Sequence, residues 1–124
     1  MAYKTFEDLE VYQECRNLRK AISKLVKERF PSEEKYKLTD QIIRSSRGVT
    51  ASIAEGFGRF HYQENIQFCR ISRGSLLETL DHLIVALDEQ YITDEIYNDH
   101  KAKLESCGRL LNGYINYLKR SKEQ

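Results

Sequence analysis

Apolar residues recur along this chain at helical spacing. Val11, Cys15, Leu18, Ile22 and Leu25 follow one another at intervals of four, three, four and three, which aligns them on one stripe of a helix. The pattern predicts a first helix from Glu7 to Arg29, closed off by Pro31, because proline disfavours helical geometry in the residue before it. Ser32 is placed to cap the next helix, with Glu33 and Glu34 suited to the positive end of its dipole. That second helix is expected from Glu33 to Gly58, with Leu38, Ile42, Ser46, Val49 and Ile53 facing inward. A third is expected from Gln63 to Glu89, on a stripe of Leu76, Leu80, Leu83 and Leu87. Thr93 then caps a fourth from Asp94 to Arg120, whose inward positions are Tyr97, His100, Leu104, Cys107, Leu111, Tyr114 and Leu118.

Long helices joined by short connections become antiparallel neighbours, so the predicted fold is all-α, an up-down-up-down four-helix bundle forming one domain over residues 1–124. Beside the apolar stripe of the second helix runs another, of Ser45, Gly48, Ser52 and Gly56. Glycine inside a helix costs about 1 kcal/mol relative to alanine, so Gly48 implies close packing. This helix is expected to be buried on two faces, one against its own bundle and one against another subunit. The segment from Gly56 to Tyr62 reads as a turn with an aromatic and basic rim.

Composition narrows the classes. Apolar residues make up 40% and charged residues 31%, and glycine and proline are scarce, which excludes disordered and collagen-like chains. No run approaches the roughly 18 apolar residues of a membrane span. The N-terminus has no apolar stretch behind Lys4 and does not read as a signal peptide, so a cytoplasmic protein is expected. Cys15, Cys69 and Cys107 lie far apart in apolar phases of their helices. They are read as buried free thiols of a reducing compartment, without zinc or redox pairing.

The net charge of +1 hides a strong segregation. Residues 41–75 carry +3 and residues 109–124 carry +3, whereas residues 76–108 carry −6. Such a distribution makes a basic surface on a nearly neutral molecule. Between Gln41 and Ser75 stand Arg44, Arg47, Arg59, Arg70 and Arg73 without a single lysine. Arginine presents a planar fork to phosphates and stacks on aromatic faces and bases. The candidate nucleic-acid contacts are therefore Arg47, Arg59 and Arg70 on phosphates, with Phe60 and Tyr62 available to stack. Arg44 and Arg73 are assigned instead to structural ion pairs with Glu55 and Glu78, inside the bundle or between subunits. The basic residues of the first helix, Arg16, Arg19, Lys20, Lys24 and Lys27, read as a solvated face.

Catalysis finds no support. A di-iron bundle needs Glu-x-x-His motifs on two helices, and none of His61, His82 and His100 follows a glutamate at that spacing. His100 reads as a hydrogen-bonded residue at the core boundary. Gly56-x-Gly58 alone is too short a signal for a phosphate cradle. No metal and no cofactor are expected.

Gln41-Ile42-Ile43-Arg44-Ser45-Ser46 followed by Ile53-Ala54-Glu55-Gly56, and then Arg73-Gly74-Ser75-Leu76 with Glu78, is a recognisable series. With Phe6-Glu7-Asp8-Leu9 and Phe30-Pro31-x-x-Glu34 before it, the chain resembles, over nearly its whole length, a family encoded within intervening sequences of bacterial large-subunit ribosomal RNA genes. That family is often labelled ribosomal-protein-like. The resemblance implies an antiparallel four-helix bundle assembled as a ring, typically a homopentamer, that binds nucleic acid, most often discussed as RNA, without established catalysis. The same fold is shared by accessory proteins of diversity-generating retroelements, pentameric bundles that bind a reverse transcriptase and nucleic acid, so a protein-interaction adaptor is the alternative function. Two positions depart from the family pattern: Ser52 stands where asparagine is usual, and Gly48 where serine is usual.

Overall fold

The computed structural model describes residues 3–122; Met1 and Ala2 of the N-terminus and the charged Glu123, with Gln124, lie outside them. The described residues are all-helical, with four long helices and no strand. These are α1 (Glu10–Arg29), α2 (Leu38–Phe57), α3 (Tyr62–Asp88) and α4 (Asp94–Lys122), with single 3-10 turns at Phe6–Asp8 and Ser32–Glu34. Each helix packs on the next, and α4 returns to pack on α1, while the backbones of the diagonal pairs α1/α3 and α2/α4 do not approach closely. The α1–α2 seam therefore lies across the bundle from the α3–α4 seam.

One apolar core runs down the middle. Cys15, Ile22, Ile42, Ile53, Cys69, Leu83, Cys107 and Leu111 are wholly excluded from solvent. Burying each branched aliphatic side chain contributes about 1.5–3 kcal/mol, and this burial holds the four helices together. The stripes of α1 and α2 match the periodicity of the sequence. On α3, Leu76 and Leu83 are buried but Leu80 and Leu87 are only half-buried; Cys69, Ser72, Thr79 and Ala86 fill the inner face. On α4, Tyr97, His100 and Tyr114 sit at the boundary, and Ile115 takes an inner position. His100 Nδ1 donates to the Ile96 carbonyl at 2.8 Å.

The small side chains of α3 explain the second stripe of α2. Ser45 Oγ and Thr79 Oγ1 share a 2.8 Å hydrogen bond, and Ser72 Oγ donates to the Val49 carbonyl at 2.8 Å. A Cβ on Gly48 would stand 3.3 Å from Ser75 Oγ, and one on Gly56 2.7 Å from Asn65 Oδ1. Partners thus descend α3 as they ascend α2. The stripe lies in the seam between α2 and α3 of the same chain. This corrects the expectation that it faces another subunit.

Two helix starts differ from the sequence pattern. Thr5 caps a short turn with its side chain, Asp8 caps it reciprocally, and Leu9 then takes an extended conformation, so α1 begins at Glu10. Ser32 opens only a 3-10 turn, and α2 begins at Leu38. Glu34 still serves the helix start, since Oε1 accepts from the Leu38 amide at 3.2 Å and Oε2 from Tyr91 Oη at 2.7 Å. The backbone leaves helical geometry at Lys37 (φ −123°, ψ −105°), which separates α2 from the turn at Ser32–Glu34. Thr93 caps α4 as expected, its Oγ1 accepting from the Ile96 amide.

Candidate nucleic-acid interface

The expected contact residues fall on separate parts of the bundle. Where α2 ends, Gly58, Arg59, Phe60 and His61 turn the chain into α3. Phe60 is 94% exposed, the largest exposure of any large apolar side chain among the described residues, and Tyr62 stands beside it at the start of α3. Arg59 is at the same turn but its charge is committed. It lies 2.9 Å from Glu55 Oε2 and 3.6 Å from Glu64 Oε2, with its guanidinium 4.8 Å from the Phe68 ring centre. It braces the turn more than it reaches outward.

About two turns of helix further along, Arg70 lines a hollow of about 300 Å³ with Lys119 and Lys122 from the end of α4. Lys122 Nζ donates to Gln63 Oε1 at 2.6 Å. None of these three cations pairs with a carboxylate among the described residues. Gln63 follows Tyr62, so this basic hollow adjoins the aromatic turn. Lys119 and Lys122 escape a motif search because they gain meaning only from α4 packing its last turns beside the first turns of α3. The +3 charge of residues 109–124 was their signal.

Arg47 lies elsewhere. It lines the α1–α2 seam with Tyr12, Arg19, Thr50 and the small Ala51 and Ala54, in a wide hollow of about 480 Å³. Arg19 is held there by Thr50, donating to Oγ1 at 2.8 Å, so it is positioned by a neutral partner rather than solvated at random. Because this seam is opposite α3–α4, Arg47 does not join Arg70, Phe60 and Tyr62 in one surface.

The pairs expected for Arg44 and Arg73 do not form within the chain. Arg44 reaches Asp40 at 3.6 Å, with most of its side chain in solvent. Glu55 is eleven residues further along α2, about 16 Å away at 1.5 Å per residue, and is taken by Arg59. Glu78 shares a surface hollow with Arg44, but its carboxylate lies 3.3 Å from His82 Nε2. Arg73 points across the α3–α4 seam and donates to Asn112 Oδ1 at 3.0 Å.

Other chemistry is sparse. Burial pushes the Cys69 thiol up to about 12, and the adjacent Cys107 together with burial pushes Cys15 up, so both thiols stay protonated at neutral pH. No group of three or more His, Cys, Asp or Glu converges as a metal site among the described residues. Nor is any helix of the described residues long and apolar enough to cross a membrane.

The fold and surface thus define a class: a four-helix bundle whose uncompensated cations gather beside an exposed aromatic turn. The chain belongs to the 23S rRNA-intervening sequence protein family, whose model matches residues 7–113. Among solved structures it is similar to a protein of unknown function from the S23 ribosomal protein family of Bacteroides thetaiotaomicron, at 23% identity, 85% of this chain, 97% of that chain and a TM-score of 0.77. That likeness concerns the fold. No curated protein matches the chain.

Proposed function

We propose that this chain is a nucleic-acid-binding protein without catalysis of its own, that its ligand is RNA, and that it acts in the cytoplasm as a homo-oligomer of five copies. Each subunit is an antiparallel up-down-up-down bundle, a reading supported by the descending partners along the α2–α3 seam and by the short connections. The observation that carries the functional reading is the hollow formed by Arg70, Lys119 and Lys122, three cations free of carboxylate partners among the described residues and adjoining the Phe60 turn. Phosphates are the ligands that such a groove attracts. Membership of a family defined by an rRNA intervening sequence favours RNA over DNA.

Repetition around a ring would multiply a modest per-subunit affinity. Crosslinking in the native cell, followed by sequencing of the co-purified nucleic acid, tests the reading. Enrichment of an RNA that disappears in the Arg70→Gln/Lys119→Gln/Lys122→Gln variant supports it, and equal recovery from both contradicts it.

An adaptor role for a protein partner is the second reading. It is favoured by Ile71, Leu77 and Ile84, three branched apolar side chains exposed on α3. Recovery of one stoichiometric protein without RNA is its expected signature.

A further inference from the structure

Among the described residues, four of the eight exposed large apolar or aromatic side chains, Tyr3, Phe60, Tyr62 and Tyr117, line a single hollow of about 260 Å³. Phe60 and Tyr62 enter it from the α2–α3 turn, while Tyr117 comes from α4 and Tyr3 from the N-terminal segment. Tyr114 stacks on Tyr117 with ring centres 6.1 Å apart and planes 15° from parallel, and Tyr3 meets Tyr117 edge to face at 6.4 Å. Burial pushes the Tyr114 hydroxyl up to about 12, and Asn65 Nδ2 donates to it at 3.1 Å, so its ring is fixed and neutral. Arg59 stands at the rim with Glu55 and Glu64 against its guanidinium.

The space is below the ~300–1,000 Å³ of typical small-molecule pockets, which suits one flat ring better than a whole nucleotide. The cationic hollow lies at the same ends of α3 and α4: Gln63, Ile66 and Arg70 line it where Tyr62 and Asn65 line this one, and Lys119 and Lys122 where Tyr117 and Leu118 do. A flat aromatic ring attached to a chain of negative charges matches the chemistry of both.

We propose that this hollow is a base-stacking slot and that the RNA bound here is unpaired, one base resting against Phe60 and Tyr62 while its flanking phosphates lie on Arg70, Lys119 and Lys122. A duplex keeps its base faces stacked inside and can offer only its phosphates. Single strands expose the π-faces that aromatic side chains bind without sequence preference. This inference rests on the RNA reading above and goes further by fixing the form of RNA.

Fluorescence anisotropy with a labelled single-stranded RNA of mixed sequence, the same strand with abasic positions, and the same strand in a duplex tests it. The variants are Phe60→Ala and Phe60→Trp, at a side chain so exposed that neither alters the core. The intact single strand is expected to bind at least tenfold more tightly than the duplex or abasic strand. Phe60→Ala should remove roughly tenfold of that affinity, Phe60→Trp should restore it, and duplex binding should not change. Equal binding of all three RNAs, insensitive to Phe60, overturns the slot and leaves the RNA reading standing. No binding of any RNA overturns both. Tighter, Phe60-dependent binding of an acidic peptide carrying aromatic side chains overturns the assignment in favour of a protein ligand.

Discussion

Asn65 lies against Gly56 so closely that a Cβ on residue 56 would stand 2.7 Å from its Oδ1, and 2.8 Å from the Cβ of neighbouring Phe68. Asn65 also donates to Tyr114 Oη at 3.1 Å and accepts from Cys69 Sγ, so Gly56 sets the junction of α2, α3 and α4 beneath the aromatic hollow. The first prediction follows from that contact. Gly56→Ala should destabilise the fold by about 1–3 kcal/mol through overpacking, although alanine is the better helix former. Gly48→Ala should be neutral or stabilising by up to about 1 kcal/mol, because Ser75 Oγ at 3.3 Å belongs to a side chain that can turn aside. Urea midpoints of the two variants check the contrast.

The Glu34–Tyr91 hydrogen bond makes stability depend on pH at both extremes. The Tyr91 hydroxyl, and then the Leu38 amide, hold the Glu34 carboxyl below its ordinary 4.5. A depressed folded-state pKa stabilises above the unfolded value, and this stabilisation is lost as pH falls through the folded one. The same bond pushes Tyr91 from 10.0 up to about 12, so its contribution is whole below pH 10 and is lost as pH rises through about 12. Tyr91→Phe should reduce the loss of stability below pH 4.5 and reduce the alkaline loss, leaving the share that the raised Tyr114 and Cys69 carry. Denaturant titrations across pH, with Glu34→Gln as the companion variant, measure both limbs.

Much of this was legible in the sequence, and the failures have physical causes. The four helices and the inner faces of α1 and α2 could be read because steps of three and four, through Cys15, Leu18 and Ile22 on α1 and through Ile42, Ser46, Val49 and Ile53 on α2, encode one stripe on each helix. The inner face of α3 was partly missed because Ser72 and Thr79 look polar, and only the seam with α2 makes them core residues. The small stripe of α2 was correctly seen as a close contact but assigned to the wrong partner, since spacing says how near a neighbour comes and not which neighbour it is. For the site, Phe60 and Tyr62 share one turn and one hollow, Arg70 lines a separate hollow with α4, and Arg47 falls on the opposite seam. Lys119, Lys122, Tyr3 and Tyr117 depend on the packing of distant segments, which no local motif records.

Glu55 and Glu64 oppose the charge of Arg59 at the rim of the proposed site. Exposed pairs of this kind contribute only about 0.2–1 kcal/mol to stability, so Glu55→Gln should leave the fold intact. It should strengthen RNA binding a few-fold at low ionic strength by freeing Arg59 and removing a nearby negative charge, and the gain should fade with added salt. Arg59→Gln should weaken binding less than Arg70→Gln. Parallel anisotropy titrations at two salt concentrations give both comparisons.

The proposed assembly has a definite mass. Light scattering at micromolar concentration should return five times the 14.6 kDa of one chain, about 73 kDa. A single-chain mass for the unaltered protein would contradict the oligomer.

The central claim, that Arg70, Lys119 and Lys122 hold RNA by its phosphates, is tested most directly by the salt dependence of binding. For single strands the slope of log K against log salt is about −0.7 per neutralised phosphate. The Arg70→Gln/Lys119→Gln/Lys122→Gln variant should therefore bind more weakly with a slope shallower by about 2, while Arg47→Gln on the far seam keeps the slope of the unaltered protein. Identical slopes for the triple variant and the unaltered protein would contradict the account.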